Sequence, residues 1–372
     1  MNNHSINHQP NFENFIRAIK TKNPGPVPFG DLFADLEVVG QLLGEKGIDY
    51  YGEMMIERNP SISDLKNLAD RYASQVIRFC LKTGWDYAWG FSFIPFEGLR
   101  NFESNEQLEH DDRRRIWTND NEGPISSWDD FYKYPWPRDI EKINLSVRRM
   151  ANLVPSGMKV MVIPGGIFEW TTWLMGFVPF SYALTDQPDL VDAVIAKVTE
   201  IVFSVVDDII DEPGVGGIFM GDDWGYASGT MISTKLMRGK FIPPLKKIVD
   251  RVHQEEKLFL LHSCGKMYKL MDDLIAIGVD GKHSYEDKIL PVEQAYQQYA
   301  DRIAIIGGVD VHLLASGSEE QVRKRTREIL EACATGGHYV LGTGNSVVNY
   351  MPLNNYLAML DEGRRWNLEN WG

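Results

Sequence analysis

Short apolar runs alternate with helix-length segments along the whole chain, and this rhythm constrains the fold more than any other feature of the sequence. Candidate strands fall at 27–33, 86–93, 159–163, 217–220, 258–262, 278–283, 303–307 and 339–342. The clearest helix between them covers 188–211, where Leu190, Val194, Val198, Ile201, Val205 and Ile209 recur at spacings of three and four. Asp186, just before Pro188, is its expected start signal. Eight strands with intervening helices and no linker-like break predict a single parallel (β/α)8 barrel domain over 1–372, with residues 1–20 as an N-terminal extension. Residues 100–152 are charged, bear Trp, and hold Pro135 and Pro137 between aromatic residues. They read as an insertion covering one end of the barrel.

Composition then removes classes of partner. The chain has 38 basic against 52 acidic residues and a net charge of -14, which argues against nucleic acid or an anionic membrane surface. It shows no apolar run of about 18 residues, and its start lacks a basic segment followed by an apolar core. The expectation is neither export nor membrane insertion. Cys80, Cys264 and Cys333 are too few, and odd in number, for a disulfide framework, so a reducing cytoplasm fits best. Gly214-Val215-Gly216-Gly217 precedes a candidate strand instead of following one, so it is no phosphate-binding loop.

In a parallel barrel the residues just after each strand converge on one pocket. His262 and Cys264 end the fifth candidate strand two residues apart, and side chains two apart on an extended strand point the same way. Glu286 follows the next strand in His283-Ser284-Tyr285-Glu286. A His, a thiolate and a carboxylate make a three-ligand zinc site with an open position, the form of a catalytic metal. Packing of a buried His beside a buried Cys is the competing reading. Glu169 follows the third strand between Phe168 and Trp170, which would desolvate it, raise its pKa and suit it to a pocket role as acid or ligand. Its alternative role is a helix-start carboxylate. Asp222 and Asp223 could orient a ligand His or touch substrate, or one could cap a neighbouring segment. His283 reads as packing or as support behind the metal ligands, and Asp310 as loop structure or pocket. The expected substrate contacts are Trp89, Phe93, Phe168, Trp224, Tyr285 and Asn345. With Phe91, Trp170, Trp173 and Tyr226 nearby, these rings suit a flat apolar substrate such as a methoxylated ring.

Asp222-Asp223-Trp224-Gly225, His262-Ser263-Cys264-Gly265, Gly278-Val279-Asp280, Gly307-Gly308-Val309-Asp310 and Gly342-Thr343-Gly344 follow in the order and spacing of the uroporphyrinogen decarboxylase superfamily. The resemblance spans roughly residues 155 to 365. The decarboxylases proper hold their substrate's carboxylates with an N-terminal arginine motif. The matching region here, Pro26-Val27-Pro28-Phe29-Gly30-Asp31-Leu32-Phe33, has no arginine. Glu97 lies near the position of the decarboxylases' essential aspartate. The superfamily's zinc-dependent methyltransferases, which exchange methyl groups with corrinoid proteins, carry a His-x-Cys pair that matches His262 and Cys264. The more distant barrel of cobalamin-independent methionine synthase places a Glu zinc ligand on the next strand, as Glu286 is placed here. Thiol-activating members carry a further Cys after the last strand, where this chain reads Gly342-Thr343-Gly344-Asn345-Ser346.

The resemblance therefore implies a cytoplasmic, zinc-containing methyltransferase. Its methyl donor would be small, with an aryl methyl ether as first expectation, and its acceptor the Co(I) of a separate corrinoid-binding protein. Transfer in reverse to a thiol or tetrahydrofolate, a decarboxylase of a smaller acid, and a non-catalytic tetrapyrrole- or corrinoid-binding barrel remain as alternatives.

Overall fold

A computed structural model describes residues 8–56, 61–99, 101–103, 116–118 and 121–372. The central element is a curled, parallel, seven-stranded sheet. Its strands are β1 (Tyr87–Phe91), β4 (Lys159–Ile163), β5 (Val215–Gly221), β6 (Leu258–His262), β7 (Gly281–His283), β8 (Ala304–Ile306) and β9 (Tyr339–Val340), adjacent in that order. The two remaining strands, β2 (Asn101–Glu103) and β3 (Ile116–Thr118), form a separate antiparallel pair. Strands β5 and β6 are buried on both faces nearly throughout, which explains why their sequences do not alternate. Helices cover the outside of the sheet, Pro188–Ile209 presenting Leu190, Val194, Val198, Val205 and Ile209 to the core.

The fold is barrel-like, and its eighth position departs from the expected strand at 27–33. Phe29 alone makes parallel bridges, to Trp85 ahead of β1 and to Leu341 behind β9. Gly30 N donates to Leu341 O (3.0 Å) and Leu341 N to Pro28 O (3.0 Å). Pro26 and Pro28 supply no N–H, so the segment cannot sustain a ladder on both sides. It spans the two edges of the sheet as a bridge instead.

Other expectations shift at their boundaries. The long helix is capped by Gln187 rather than Asp186, because the preceding helix, Phe177–Asp186, runs through that residue. The expected insertion ends early. Helix Leu145–Leu153 packs on helix Ile62–Thr83 and on β1 and β4, so it belongs to the outer layer. Within 100–152, residues 100, 104–115 and 119–120 lie outside the described residues. Near residue 8 the chain crosses the N-terminal ends of the strands, where helix Phe12–Lys20 buries Phe12 and Phe15, the latter against Tyr87 (ring centroids 4.9 Å). All three cysteines are unpaired. No helix among the described residues is long and apolar enough to cross a membrane.

Candidate functional site

The loops after β5 and β6 meet because two glycines let them. Gly265 has φ of 76°, and a Cβ there would lie 2.3 Å from the backbone of Gly225; a Cβ on Gly225 would lie 2.6 Å from the carbonyl oxygen of Cys264. With the loops pressed together, Asp223 Oδ1 accepts a hydrogen bond from Cys264 N at 2.7 Å. The His262 ring reaches the same group, with Nε2 3.4 Å from Cys264 Sγ and 3.7 Å from Asp223 Oδ1. Among the described residues, Asp223, His262 and Cys264 form a set whose ligand atoms all lie within 4.8 Å of one another. Imidazole, thiolate and carboxylate are zinc's ordinary ligands, and three of them leave a position open. The donor set fits that metal.

Glu286, expected as the third ligand, stands behind this set. Its Oε1 faces Gly265 N at 3.4 Å, and its side chain lines a smaller cavity of about 500 Å³ with Lys288, Asp310 and His312. Asp310 caps the helix Val311–Ser316, accepting from His312 N and Leu313 N. Asn345 sits between the two cavities, and its side-chain amide donates to Cys264 Sγ at 3.0 Å.

The metal-competent set opens onto a cavity of about 1030 Å³. Its walls include Phe33, Tyr51, Phe91, Phe93, Phe96, Trp170 and Trp173, and its polar groups include Glu97, Glu169, Asp223, His262, Cys264 and Asn345. No Lys or Arg lines it among the described residues. Four aromatics expected at substrate lie instead in the core. Trp89 packs edge-on against Phe79 and Trp85, and Phe168 against Phe180 and Phe241. Trp224 and Tyr285 are fully buried, and their Nε1 and OH find no hydrogen-bond partner. Tyr226 is largely exposed.

The paired aspartates divide their work. Asp223 reaches the cavity, whereas Asp222 is buried and accepts from Phe168 N (3.1 Å) and Glu169 N (2.9 Å), holding the first turn of helix Ile167–Met175. Gly166 makes room for it, since a Cβ there would lie 2.1 Å from the Asp222 carboxylate. Burial raises the Asp222 pKa to about 6, against the pull of those two backbone amides. Glu169 lines the cavity, and burial raises its pKa well above the carboxylate range, with the charges of Asp223 and Asp222 adding to the effect. That shift favours the protonated carboxyl. Burial also pushes the Cys264 thiol up and keeps His262 neutral.

The residues behind the ligands carry weak or no local sequence signal. His283, paired with His262 in register, places its Nδ1 2.8 Å from His262 Nδ1. Asp31, which local spacing did not mark, is buried and accepts from Thr343 N (2.7 Å) beside that pair. Lys282 is fully buried; its amine donates to Ser284 O and lies 4.4 Å from the centroid of the Tyr285 ring. Burial lowers its pKa from 10.5 to about 8, with the charges of Cys264, Asp223 and Glu286 opposing.

Between those two values the unfolded chain holds a proton that the folded chain has lost, so stability rises with pH across that window. Below it the full penalty persists, about 3 kcal/mol. Lys282→Met should therefore stabilise the metal-free protein at pH 7 by about 1–3 kcal/mol after the lost contact with the Tyr285 ring is discounted. Urea unfolding should show that gain shrinking as the pH approaches 10.5. A destabilised variant at pH 7 would contradict this account of Lys282.

A sequence model of the family described as uroporphyrinogen decarboxylase (URO-D) matches residues 120–366, well over half of the chain. The chain belongs to the uroporphyrinogen decarboxylase family. No curated protein matches it in sequence. Among solved structures, a methyltransferase from Methanosarcina mazei superposes with a TM-score of 0.69 at 14% identity, covering 96% of this chain and 99% of that one. A B12-independent methionine synthase from a Shewanella species, in complex with selenomethionine, gives 0.52 at 10% identity, covering 94% and 98%. At such identities these likenesses concern the fold, and the chemistry of this family member rests on its own residues.

Proposed function

We propose that this family member is a zinc-dependent methyltransferase that moves a methyl group from an aryl methyl ether to the Co(I) of a corrinoid-binding partner protein. The observation that carries the reading is the His262, Cys264 and Asp223 set opening onto an aromatic-walled cavity. The structural likeness to a protein named a methyltransferase supports it. So does the cavity's polarity: Glu97 and Asp223 with no basic side chain among the described lining suit an uncharged ring better than a polyanionic tetrapyrrole.

His262, Cys264 and Asp223 would hold zinc, which when bound supplies a Lewis acid for the oxygen of the ether. Phe91, Phe93 and Trp170 offer apolar faces for a flat ring and keep water from it. Glu169 lines the cavity and its burial favours the protonated carboxyl, so it would be the group that gives a proton to the departing phenolate oxygen. Asp222, by accepting from Glu169 N, fixes the backbone from which that carboxyl reaches the cavity.

The test mixes the zinc-loaded protein with cob(I)alamin and, separately, methoxylated aromatics, methanol and methylamines, following the cobalt spectrum and the demethylated product. Methyl-cobalt should form only with a methoxylated aromatic, together with one phenol per methyl transferred. Methylation from methanol or methylamine alone, transfer only from methylcobalamin to a thiol, or no transfer from any donor would overturn the reading.

A further inference from the structure

We infer that His283, held by the Thr343 carbonyl and Asp31, is the positioning residue that decides which nitrogen of His262 is left free to take a metal. The inference rests on the metal reading of the site and on no particular methyl donor.

Buried hydrogen-bond partners fix where the ring protons sit. His283 Nε2 lies 3.2 Å from the carbonyl oxygen of Thr343, and a carbonyl can only accept, so that nitrogen must carry hydrogen. Asp31 Oδ1, at 3.5 Å, presents a second acceptor to the same nitrogen. A neutral His283 then has its lone pair on Nδ1, which faces His262 Nδ1 at 2.8 Å. Two lone pairs cannot face each other at that distance, so His262 Nδ1 carries the hydrogen and donates it. His262 Nε2 is left with the lone pair, and it is the nitrogen beside Cys264 Sγ and Asp223 Oδ1.

The geometry leaves little freedom for another arrangement. His262 and His283 are adjacent in the register of β6 and β7, and both rings are buried. Asp31 is fixed in turn by Thr343, whose N and Oγ1 approach its Oδ1 at 2.7 and 2.9 Å. A carboxylate or carbonyl commonly backs a metal-binding imidazole directly. Here a second imidazole intervenes and passes on the preference of two acceptors. The competing state is a His283 protonated on both nitrogens beside Asp31. It would turn His262 Nδ1 into an acceptor and put hydrogen on Nε2, facing the metal position.

Two measurements decide between these states. In metal-free, full-length protein labelled with 15N-histidine, the His262 ring, assigned by loss of its signals in His262→Asn, should show a protonated Nδ1 and a pyridine-like Nε2. A protonated Nε2 overturns the inference. In zinc competition against a chelator, His283→Phe should weaken binding about 10–100-fold, the usual effect of losing the group behind a metal ligand. His283→Gln, whose amide oxygen can accept from His262 and whose NH2 can donate to Thr343 O, should stay within about threefold of the wild type. Equal losses in both variants would mean a packing role, and unchanged binding in His283→Phe would mean none; either overturns the inference. If His283→Phe fails to fold, the nitrogen shifts of the wild type decide alone. A protein with the predicted tautomer and no methyl transfer would sink the proposed function and leave this inference standing.

Discussion

Cys264→Ala should lose zinc by about two to four orders of magnitude in affinity, because on the proposed reading a site worth about 10–16 kcal/mol in total would be shared among the three protein ligands. Alanine leaves no donor for the metal and orphans the Asn345 amide that points at the sulfur. Zinc uptake by the wild type should also release a proton, since burial keeps the Cys264 thiol protonated until a metal displaces the hydrogen. Calorimetry in buffers of different ionisation enthalpy reads both effects. A variant that retains zinc and releases the same proton would show that the sulfur is not a ligand. Its fold should survive, since Cys264 is only partly buried and lies in the loop after β6 instead of filling the core.

Asp223→Asn and Glu286→Gln should separate the third ligand. Asparagine can still accept from Cys264 N but brings no charge to the metal, so zinc affinity should fall at least about 10–100-fold. Glutamine at 286 can keep the long contact to Gly265 N, and the loss there should stay within about threefold. Chelator competition on the two purified variants gives the comparison directly. Equal losses, or a larger one in Glu286→Gln, would move the carboxylate ligand from the loop after β5 to the loop after β7. Asp223→Asn also bears on mechanism, because the Asp223 charge is among the influences that raise the Glu169 pKa.

Much of the frame was legible because it is local. The runs at 159–163 and 258–262 coincide with strands, since a stretch apolar on both faces has few other uses in a chain of this rhythm. The 27–33 run failed as a strand because Pro28 within it and Pro26 just before it remove donors, a feature visible in the sequence and outweighed there by the expectation of an eighth strand. The His262 and Cys264 pair could be read from a spacing of two. Asp223 joins them only because Gly225 and Gly265 allow backbones about forty residues apart to touch, and no periodicity encodes that. Glu286 was attractive on spacing, yet the loop after β7 turns its carboxylate toward a backbone amide. Asp31 and Thr343 are farther beyond reach, meeting across 312 positions of sequence. The aromatic residues divide between wall and core for the same reason: Phe93 faces the cavity while Trp89 fills a contact with Phe79, and composition treats both alike.

The claim on which the rest depends is a zinc ion held by one sulfur and two harder ligands at the ends of β5 and β6. X-ray absorption at the zinc edge of the purified, zinc-loaded protein measures it directly. The expected shell has about one sulfur at ~2.3 Å with the remaining nitrogen and oxygen ligands at ~2.0–2.2 Å. A zinc shell without sulfur, or a protein that retains no stoichiometric zinc, would contradict it.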